Sequence, residues 1–227
     1  MKIAVIPARA GSKRIEGKNI KKFYGKPIIS YSIQSAIKSK IFDRIIVSTE
    51  SEKIARIAKK YGAEIYFKRP KHLIGDYVTT GEVMAHAVDW FDKNICKTTY
   101  ACLIYPTTPM IESTDIIKAF KKIKKQKVDY VFSAKKFTYP VQRSFYLTKN
   151  KSVKMLDEKN YYKRSQDLNS VYHDAGQFYW GKSKSWLLKK KIFTAKSSIH
   201  LIDYLNGHDV DTKIDWEILK KLYKLKK

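Results

Sequence analysis

A chain of 227 residues, of which 44% are hydrophobic and 13% aromatic, is long enough to bury a core in one domain. Its 47 lysines and arginines outnumber its 21 aspartates and glutamates and give a formal net charge of +26. The excess is mostly lysine in residues 121–127, 189–191 and 220–227. Such lysine clusters are typical of solvated helix faces rather than of a nucleic-acid surface. No uncharged run reaches the roughly 20 residues that cross a bilayer, and residues 1–7 are too short for a signal peptide, so we expect a cytoplasmic protein without a membrane or nucleic-acid partner.

Short β-branched or aromatic segments alternate with helical patterns in the first part of the chain. Buried parallel strands are predicted at residues 2–6, 44–49, 64–67, 100–105 and 129–134. Helices are predicted at residues 27–38 and 52–61, after a capping box formed by Thr79 and Glu82, and after Ser113 or Thr114 as the cap. The alternation predicts a three-layer α/β fold with a mostly parallel sheet.

This alternation stops near the middle of the chain. Residues 135–169 are polar and aromatic without a clear period, and they could form a loop, an antiparallel excursion or an arm used in oligomerisation. Strand character returns at residues 177–181, and a last helix is predicted at residues 215–225, with Asp215 as a candidate cap. No repeat or low-complexity linker divides the chain, so we expect one domain with an insertion.

The loop after the first predicted strand, residues 7–19 (PARAGSKRIEGKN), carries two glycines and a group of cations. It is not a P-loop, because five residues separate Gly11 from Gly17 and Asn19 stands where Ser or Thr would bind magnesium; it also lacks the G-x-G-x-x-G pattern. Ligands of open α/β sheets nevertheless bind at such a place, where backbone amides and cations can hold phosphates. The cations expected to converge here are Arg9, Lys13, Arg14 and Lys18.

Several motifs together resemble the CMP-sialic acid synthetase family, also called the acylneuraminate cytidylyltransferases. The residues that carry the resemblance are 6–13, Lys18-Asn19, 44–49, Lys68-Arg69-Pro70, 106–109 and 209–212. They span almost the whole chain, and the first and last motifs are specific when found together. The resemblance implies a Rossmann-like nucleotidyltransferase fold, with residues 135–169 as the exchanged arm of a homodimer.

The reaction that the resemblance implies joins CTP to a nine-carbon acidic sugar and releases pyrophosphate. The anomeric hydroxyl attacks the α-phosphorus in line without a covalent enzyme intermediate, so catalysis depends on positioning and charge neutralisation. Lys13 is the residue expected to stabilise charge on the phosphates. The residues implied for nucleotide binding are Arg9, Gly11, Ser12, Lys13, Lys18, Asn19 and Arg69.

Asp209 and Asp211 are the expected ligands of Mg²⁺ and are counted among the catalytic residues. In an extended D-x-D segment both side chains lie on one face. Carboxylate oxygens suit Mg²⁺, which keeps waters and bridges phosphates. Spacing alone would equally allow a capping role before the final helix, and the resemblance favours the metal.

The segments expected to face the sugar are residues 103–107 and 174–181. They look like those of family members that act on pseudaminic acid, whereas sialic acid members more usually have Gln in place of Tyr105 and Asn-Gly near residues 175–176. The resemblance therefore implies a nonulosonic acid substrate, pseudaminic acid first, with legionaminic or sialic acid as alternatives. The residues expected to bind the sugar are Tyr105, Asp174, Gln177 and Tyr179.

A general base is left open. His173 and His208 are candidates, but a metal can lower the pKa of the sugar hydroxyl without one. Glu16 stands where many family members have Pro, and a carboxylate in a phosphate loop would repel the ligand, so Glu16 is not a ligand candidate.

Two rival functions belong to other classes. A basic nucleic-acid-binding module would bind in a steeply salt-dependent way and be indifferent to CTP. A non-catalytic nucleotide-binding regulator would have lost Lys13 or the D-x-D pair, and this chain keeps both.

Overall fold

The computed structural model describes residues 1–226 and is built around a central β-sheet. The strands in chain order are β1 (Lys2–Pro7), β2 (Lys22–Phe23), β3 (Lys26–Pro27), β4 (Arg44–Ser48), β5 (Tyr100–Ile104), β6 (Tyr130–Lys136), β7 (Phe145–Leu147), β8 (Val153–Met155), β9 (Tyr172–Lys182) and β10 (Ser197–Leu201). Within the described residues the central sheet has six strands in the order β10-β6-β9-β5-β1-β4. The pairs β2–β3 and β7–β8 form separate small hairpins.

The direction of the strands confirms the predicted mostly parallel sheet. β1 pairs in parallel with β4 and β5, and β10 pairs in parallel with β6. β9 runs antiparallel to both of its neighbours, β5 and β6. The start of β9 therefore lies at the edge of the sheet where the parallel strands end.

The helices confirm the predicted ones, except for a short helix at residues 183–187 that the sequence does not predict. They are α1 (Ile29–Ser39), α2 (Glu52–Lys60), α3 (Thr80–Asn94), α4 (Ser113–Gln126), α5 (Ser183–Leu187) and α6 (Lys213–Leu225). The capping box of Thr79 and Glu82 before α3 is confirmed. Neither Ser113 nor Thr114 caps α4, so that prediction is wrong. Glu112 occupies the cap position, but its side chain accepts no hydrogen bond from a backbone N–H of the helix.

The cap of α6 also differs from the sequence expectation. Thr212 is the cap, and its hydroxyl accepts a hydrogen bond from the backbone N–H of Asp215. The Asp215 carboxylate accepts a bond from the Thr212 backbone in return, which completes a capping box. These two residues thus fix the chain direction just after Asp211.

The predicted strand at residues 64–67 is wrong. Glu64 and Lys68 form isolated bridges to the segment of β4 and the residue after it, instead of a continuous ladder. Between these bridges the ring of Tyr66 packs edge-on against Phe91 of α3, with 4.9 Å between ring centroids. The aromatic character that resembles a strand serves side-chain packing here.

Helices cover both faces of the sheet and confirm the three-layer architecture. On β1, Ala4 and Ile6 face the cluster formed with α1, α2 and α4, while Ile3 and Val5 face the cluster formed with α3 and α5. This alternation follows from the two-residue period of a strand. All four side chains are fully buried, and each isoleucine contributes roughly 1.5–3 kcal/mol by leaving water.

A third cluster of buried side chains joins the loop after β1 (residues 7–19, here called the opening loop) to α6. Ile15 of the loop, Phe23 of the β2–β3 hairpin and Trp216 of α6 belong to it, together with Val210. The rings of Phe23 and Trp216 meet edge-to-face with centroids 5.6 Å apart. This packing holds residues 209–211 close to the loop after β1.

Residues 137–171 form an arm that leaves the sheet after β6 and returns at β9. The β7–β8 hairpin lies within it, so the segment includes an antiparallel excursion. The arm carries several large exposed side chains: Tyr139, Phe145, Leu147, Val153, Leu156, Tyr161 and Tyr162. Among residues 1–226, none of the helices has the length and apolar character needed to cross a membrane.

Candidate active site

The opening loop starts where β1 ends and lies at the carboxyl edge of the sheet. The backbone N–H of Ala8 donates to the carbonyl of Ser48 at 2.9 Å, so the pairing of β1 and β4 extends one residue before the loop turns. Gly17 adopts a φ of 58°, in the left-handed region that favours glycine, and leads into the short 3-10 helix Lys18–Ile20.

Internal hydrogen bonds fix the shape of this loop. Asn19 is buried, and its side-chain amide donates to the carbonyl of Arg9 at 2.9 Å. The backbone N–H of Ala10 donates to Glu50 Oε1 at 2.7 Å. The loop therefore holds Arg9 in place from both sides, and Asn19 has a structural role in addition to its predicted nucleotide contact.

A cavity of about 270 Å³ lies beside the loop. It extends from the loop to the start of α3 and to the residues after β5. The predicted site residues that line it are Arg9, Ser12, Lys13, Lys18, Asn19, Arg69, Tyr105 and Asp211. Most of the predicted nucleotide-binding residues are thus brought together around one space.

Arg9 and Lys13 are both paired with Asp76. Arg9 Nη1 lies 2.7 Å from Asp76 Oδ1, and Lys13 Nζ lies 2.8 Å from Asp76 Oδ2. The hydrogen bonds from Lys13 and then from Arg9 hold the pKa of the Asp76 carboxyl below its ordinary value. The carboxylate thus lies between two cations that were predicted to bind phosphates.

Arg14 and Lys18 are paired with Asp211. Asp211 Oδ1 lies 2.8 Å from Arg14 Nη2 and 3.6 Å from Lys18 Nζ. Lys18 also donates to the carbonyl of Val210 at 2.5 Å. These bonds connect the loop after β1 to the D-x-D segment near the other end of the chain.

Arg69 lies on the floor of the cavity and is 5% exposed. Its guanidinium donates to the hydroxyl of Ser48 at 3.1 Å and to the carbonyl of the same residue. Burial lowers the pKa of Arg69 to about 10, and the nearby Glu50 opposes this shift. Arg69 therefore remains a cation at neutral pH.

Of the predicted sugar-binding residues on the β5–β9 side, Tyr105 lines the cavity, whereas Tyr179 and Asp174 do not. The rings of Tyr105 and Tyr179 meet edge-to-face with centroids 5.8 Å apart, and the Tyr179 hydroxyl donates to Asp174 Oδ2. Burial, then Tyr105 and Asp174, raise the pKa of Tyr179. Its phenol therefore stays protonated and acts as a hydrogen-bond donor that fixes the Asp174 carboxylate.

Asp209 lies against the first half of β9. Gly176 there has a φ of 60°, and a Cβ added to it would be 3.8 Å from the Asp209 carboxyl carbon. Asp209 is exposed, and Val210 is buried between the two aspartates. The two carboxylates contact different partners, since Asp211 meets the opening loop and Asp209 meets β9.

The remaining predicted residues do not line the cavity. Gln177 is buried, and its side-chain amide donates to the carbonyl of Asn206. Gly11 is exposed, and a Cβ there would meet open space. His173 Nδ1 lies 2.8 Å from the carbonyl of Asp174, and His208 Nε2 lies 3.9 Å from Asp215 Oδ1.

Among the polar side chains of the site, those of Asp76, Thr80 and Glu50 are not predicted by the sequence. Asp76 and Thr80 line the cavity, and Glu50 binds the opening loop. Asp76 and Thr80 lie just before and at the start of α3, where the capping box marks a helix N-terminus. No motif in the sequence distinguishes Asp76 from other loop aspartates. Its pairing with Arg9 and Lys13 is therefore visible only in the structure.

Fold and site together are typical of a protein that binds a phosphorylated ligand at the carboxyl edge of an open α/β sheet. The cytidylyltransferase family model matches residues 3–227. The chain is 43% identical to a pseudaminic acid cytidylyltransferase from Campylobacter jejuni subsp. jejuni serotype O:2, and the alignment covers 98% of this chain and 96% of that protein. The chain belongs to the cytidylyltransferase family, whose members are nucleotidyltransferases.

Two further comparisons extend this assignment. The chain is 31% identical to a CMP-N,N'-diacetyllegionaminic acid synthase from the same Campylobacter serotype, and the alignment covers 99% of this chain and 95% of that protein. A solved structure of CMP:2-keto-3-deoxy-manno-octonic acid synthetase in complex with CTP superposes on this chain with a TM-score of 0.72 at 15% identity. The superposition covers 100% of this chain and 99% of the synthetase chain. This structural likeness supports the Rossmann-like fold.

Proposed function

We propose that the chain transfers CMP from CTP to pseudaminic acid and releases pyrophosphate. The observation that carries this proposal is the 43% identity, over nearly the full length of both chains, to a pseudaminic acid cytidylyltransferase. Identity to a legionaminic acid synthase of the same organism is lower, at 31%. A legionaminic or sialic acid substrate is the second candidate.

The proposed roles follow the two sides of the cavity. Arg9 and Lys13 bind the phosphates, because their charges meet at one point and already hold an anion there. Arg69 is buried beside them in the cavity lining and limits how far the nucleotide enters the cavity. On the other side, Tyr105 and the Tyr179–Asp174 pair orient the sugar so that its hydroxyl faces the α-phosphorus in line.

Asp209 and Asp211 would hold Mg²⁺. Both are at least partly accessible, and their hard oxygen atoms suit this ion, which commonly binds one or two carboxylates plus phosphates and waters. Asp211 fits once its carboxylate exchanges Arg14 for the metal. When bound, the ion supplies charge neutralisation at the phosphates and lowers the pKa of the attacking hydroxyl.

A pyrophosphate-release assay with CTP tests the reaction and the choice of sugar. Pseudaminic acid should give the highest kcat/KM in a panel that includes legionaminic and N-acetylneuraminic acids. Turnover of another panel member at a higher kcat/KM would move the chain to that substrate. Release of pyrophosphate with none of them would overturn the proposed function.

Changing Asp211 to Asn should lower kcat/KM by about 10²-fold or more and raise the Mg²⁺ concentration needed for half-maximal rate. The reason is that the amide removes a charged metal ligand while keeping its size. The measurement is a Mg²⁺ titration of the rate at saturating CTP.

The matched control for this variant is Glu217→Gln. Glu217 lies on α6, is 60% exposed and pairs with Lys220, so the substitution removes the same charge away from the cavity. If Asp211→Asn raised the KM for CTP without changing the Mg²⁺ dependence, Asp211 would serve to position Arg14 and Lys18 instead.

We also propose a cytoplasmic homodimer in which the arm of residues 137–171 contacts the second copy. The exposed aromatic and aliphatic side chains of the arm support this, since large exposed apolar side chains in number are typical of interfaces. Sedimentation velocity should give about twice the chain mass of 26.5 kDa. A monomer at micromolar concentration would count against the dimer.

A further inference from the structure

Asp76 bridges two cations in the manner of a small bidentate anion. One carboxylate oxygen pairs with Arg9 and the other with Lys13, at 2.7 and 2.8 Å. Charge-assisted bonds of this length are strong, and a phosphate group would use the same two donors. While the carboxylate stays in place, it occupies donors of both cations and its charge opposes the approach of a triphosphate.

The segment that carries Asp76 is short and open to solvent on one side. It joins the 3-10 helix Lys71–Leu73 to the cap of α3 at Thr79. The Asp76 side chain is 43% exposed, and the neighbouring Tyr77 is 100% exposed. The carboxylate can therefore leave the cations by local movement, without disturbing the buried core.

We propose that Asp76 is a built-in competing anion that sets how tightly the site retains pyrophosphate and other phosphates. This inference rests on the proposed function. A ligand must displace the carboxylate from Arg9 and Lys13 before it binds them. After transfer of CMP, the carboxylate returns to the same cations and favours the release of pyrophosphate.

The expected size of the effect follows from the exposure of the pairs. Exposed ion pairs are weak, so the two of them together correspond to roughly 2- to 30-fold in anion affinity. Inorganic phosphate, which can replace few of these contacts, is rejected by the same competition. A nucleoside triphosphate offers more charge and additional contacts with the cavity, so it overcomes the carboxylate.

The test is Asp76→Asn, which keeps the size of the side chain and removes its charge. Isothermal titration calorimetry at low ionic strength, without metal, would measure binding of inorganic pyrophosphate and tripolyphosphate. We expect the variant to bind both roughly 5-fold more tightly than the original chain, within the range of roughly 2- to 30-fold. The difference should shrink at high salt, because exposed charges are screened.

Asp89→Asn is the matched control. Asp89 is on α3, is 50% exposed and pairs with Lys93 at 2.8 Å, so the change in net charge is the same without contact to Arg9 or Lys13. We expect its pyrophosphate affinity to stay within about twofold of the original. An equal gain in both variants would mean that only the overall charge matters and would overturn the proposal.

A kinetic measurement gives a second readout. The inhibition constant of pyrophosphate should fall in Asp76→Asn by the same factor as the dissociation constant. Weaker pyrophosphate binding would instead make Asp76 a residue that organises the phosphate site, and unchanged binding would leave it without influence; both results contradict the proposal. Because the binding experiment needs no turnover, it can succeed even if no sugar acid is a substrate.

Discussion

Replacing Lys13 with methionine is expected to lower kcat/KM for CTP by about 10³-fold, because a positioned charge on a transferring phosphate contributes on this scale. Lys13 lies at the mouth of the cavity, and its ammonium pairs with Asp76 at 2.8 Å. Methionine keeps a long flexible side chain and removes the charge. Steady-state pyrophosphate release at varied CTP would measure the loss.

The control for this variant is Lys22→Met. Lys22 is an exposed residue of β2, close in sequence but outside the cavity lining. It should keep the original kcat/KM within about twofold. The thermal midpoint of Lys13→Met should also be nearly unchanged, since the Lys13 side chain is 81% exposed. A kcat/KM of Lys13→Met within about tenfold of the original value would show that Lys13 is not a catalytic residue.

Replacing Gly181 with alanine is expected to destabilise the fold by about 3 kcal/mol. A Cβ at this position of β9 would lie 2.4 Å from Trp186 Nε1 and 2.7 Å from Tyr130 Cε1. Both rings are fully buried, and the indole N–H donates to the Ala101 carbonyl at 3.0 Å. The methyl group must displace the indole, which strains the packing and breaks that hydrogen bond.

Urea unfolding followed by circular dichroism would measure this change. For a chain of this length the loss corresponds to a fall in thermal midpoint of roughly 6–12 °C. Gly81→Ala is the matched control, because its Cβ would meet Thr79 Oγ1 at an ordinary 3.8 Å and the site is helical. That variant should be as stable as the original or more stable. A loss below about 1 kcal/mol for Gly181→Ala would show that β9 shifts easily.

Much of the fold follows from local patterns in the sequence. The apolar runs of β1, β4, β5 and β6 predict buried strands, and Thr79 with Glu82 predicts the start of α3. The pattern fails at residues 64–67, because aromatic side chains favour strands and side-chain packing alike. It fails at the start of α4 as well, where the Glu112 carboxylate accepts hydrogen bonds from Asn206 and Lys226, two residues far away in the sequence.

The site was predictable where its residues are consecutive and not where they come from distant segments. Arg9, Lys13 and Lys18 follow one strand, so their convergence can be read from the chain. Their anionic partners are far away: Asp76 is 63 residues after Lys13, and Asp211 is 197 residues after Arg14. Such pairs depend on tertiary packing, which no local pattern encodes.

The reversed direction of β9 has a consequence for how this chain can change over time. The arm of residues 137–171 departs from the end of β6 and returns to the start of β9, which is the adjacent antiparallel strand. A connection between two parallel strands must form a right-handed crossover, whereas a connection between antiparallel neighbours has no such requirement. Evolution can therefore lengthen, shorten or alter the arm next to the start of β9 without changing the connectivity of the sheet.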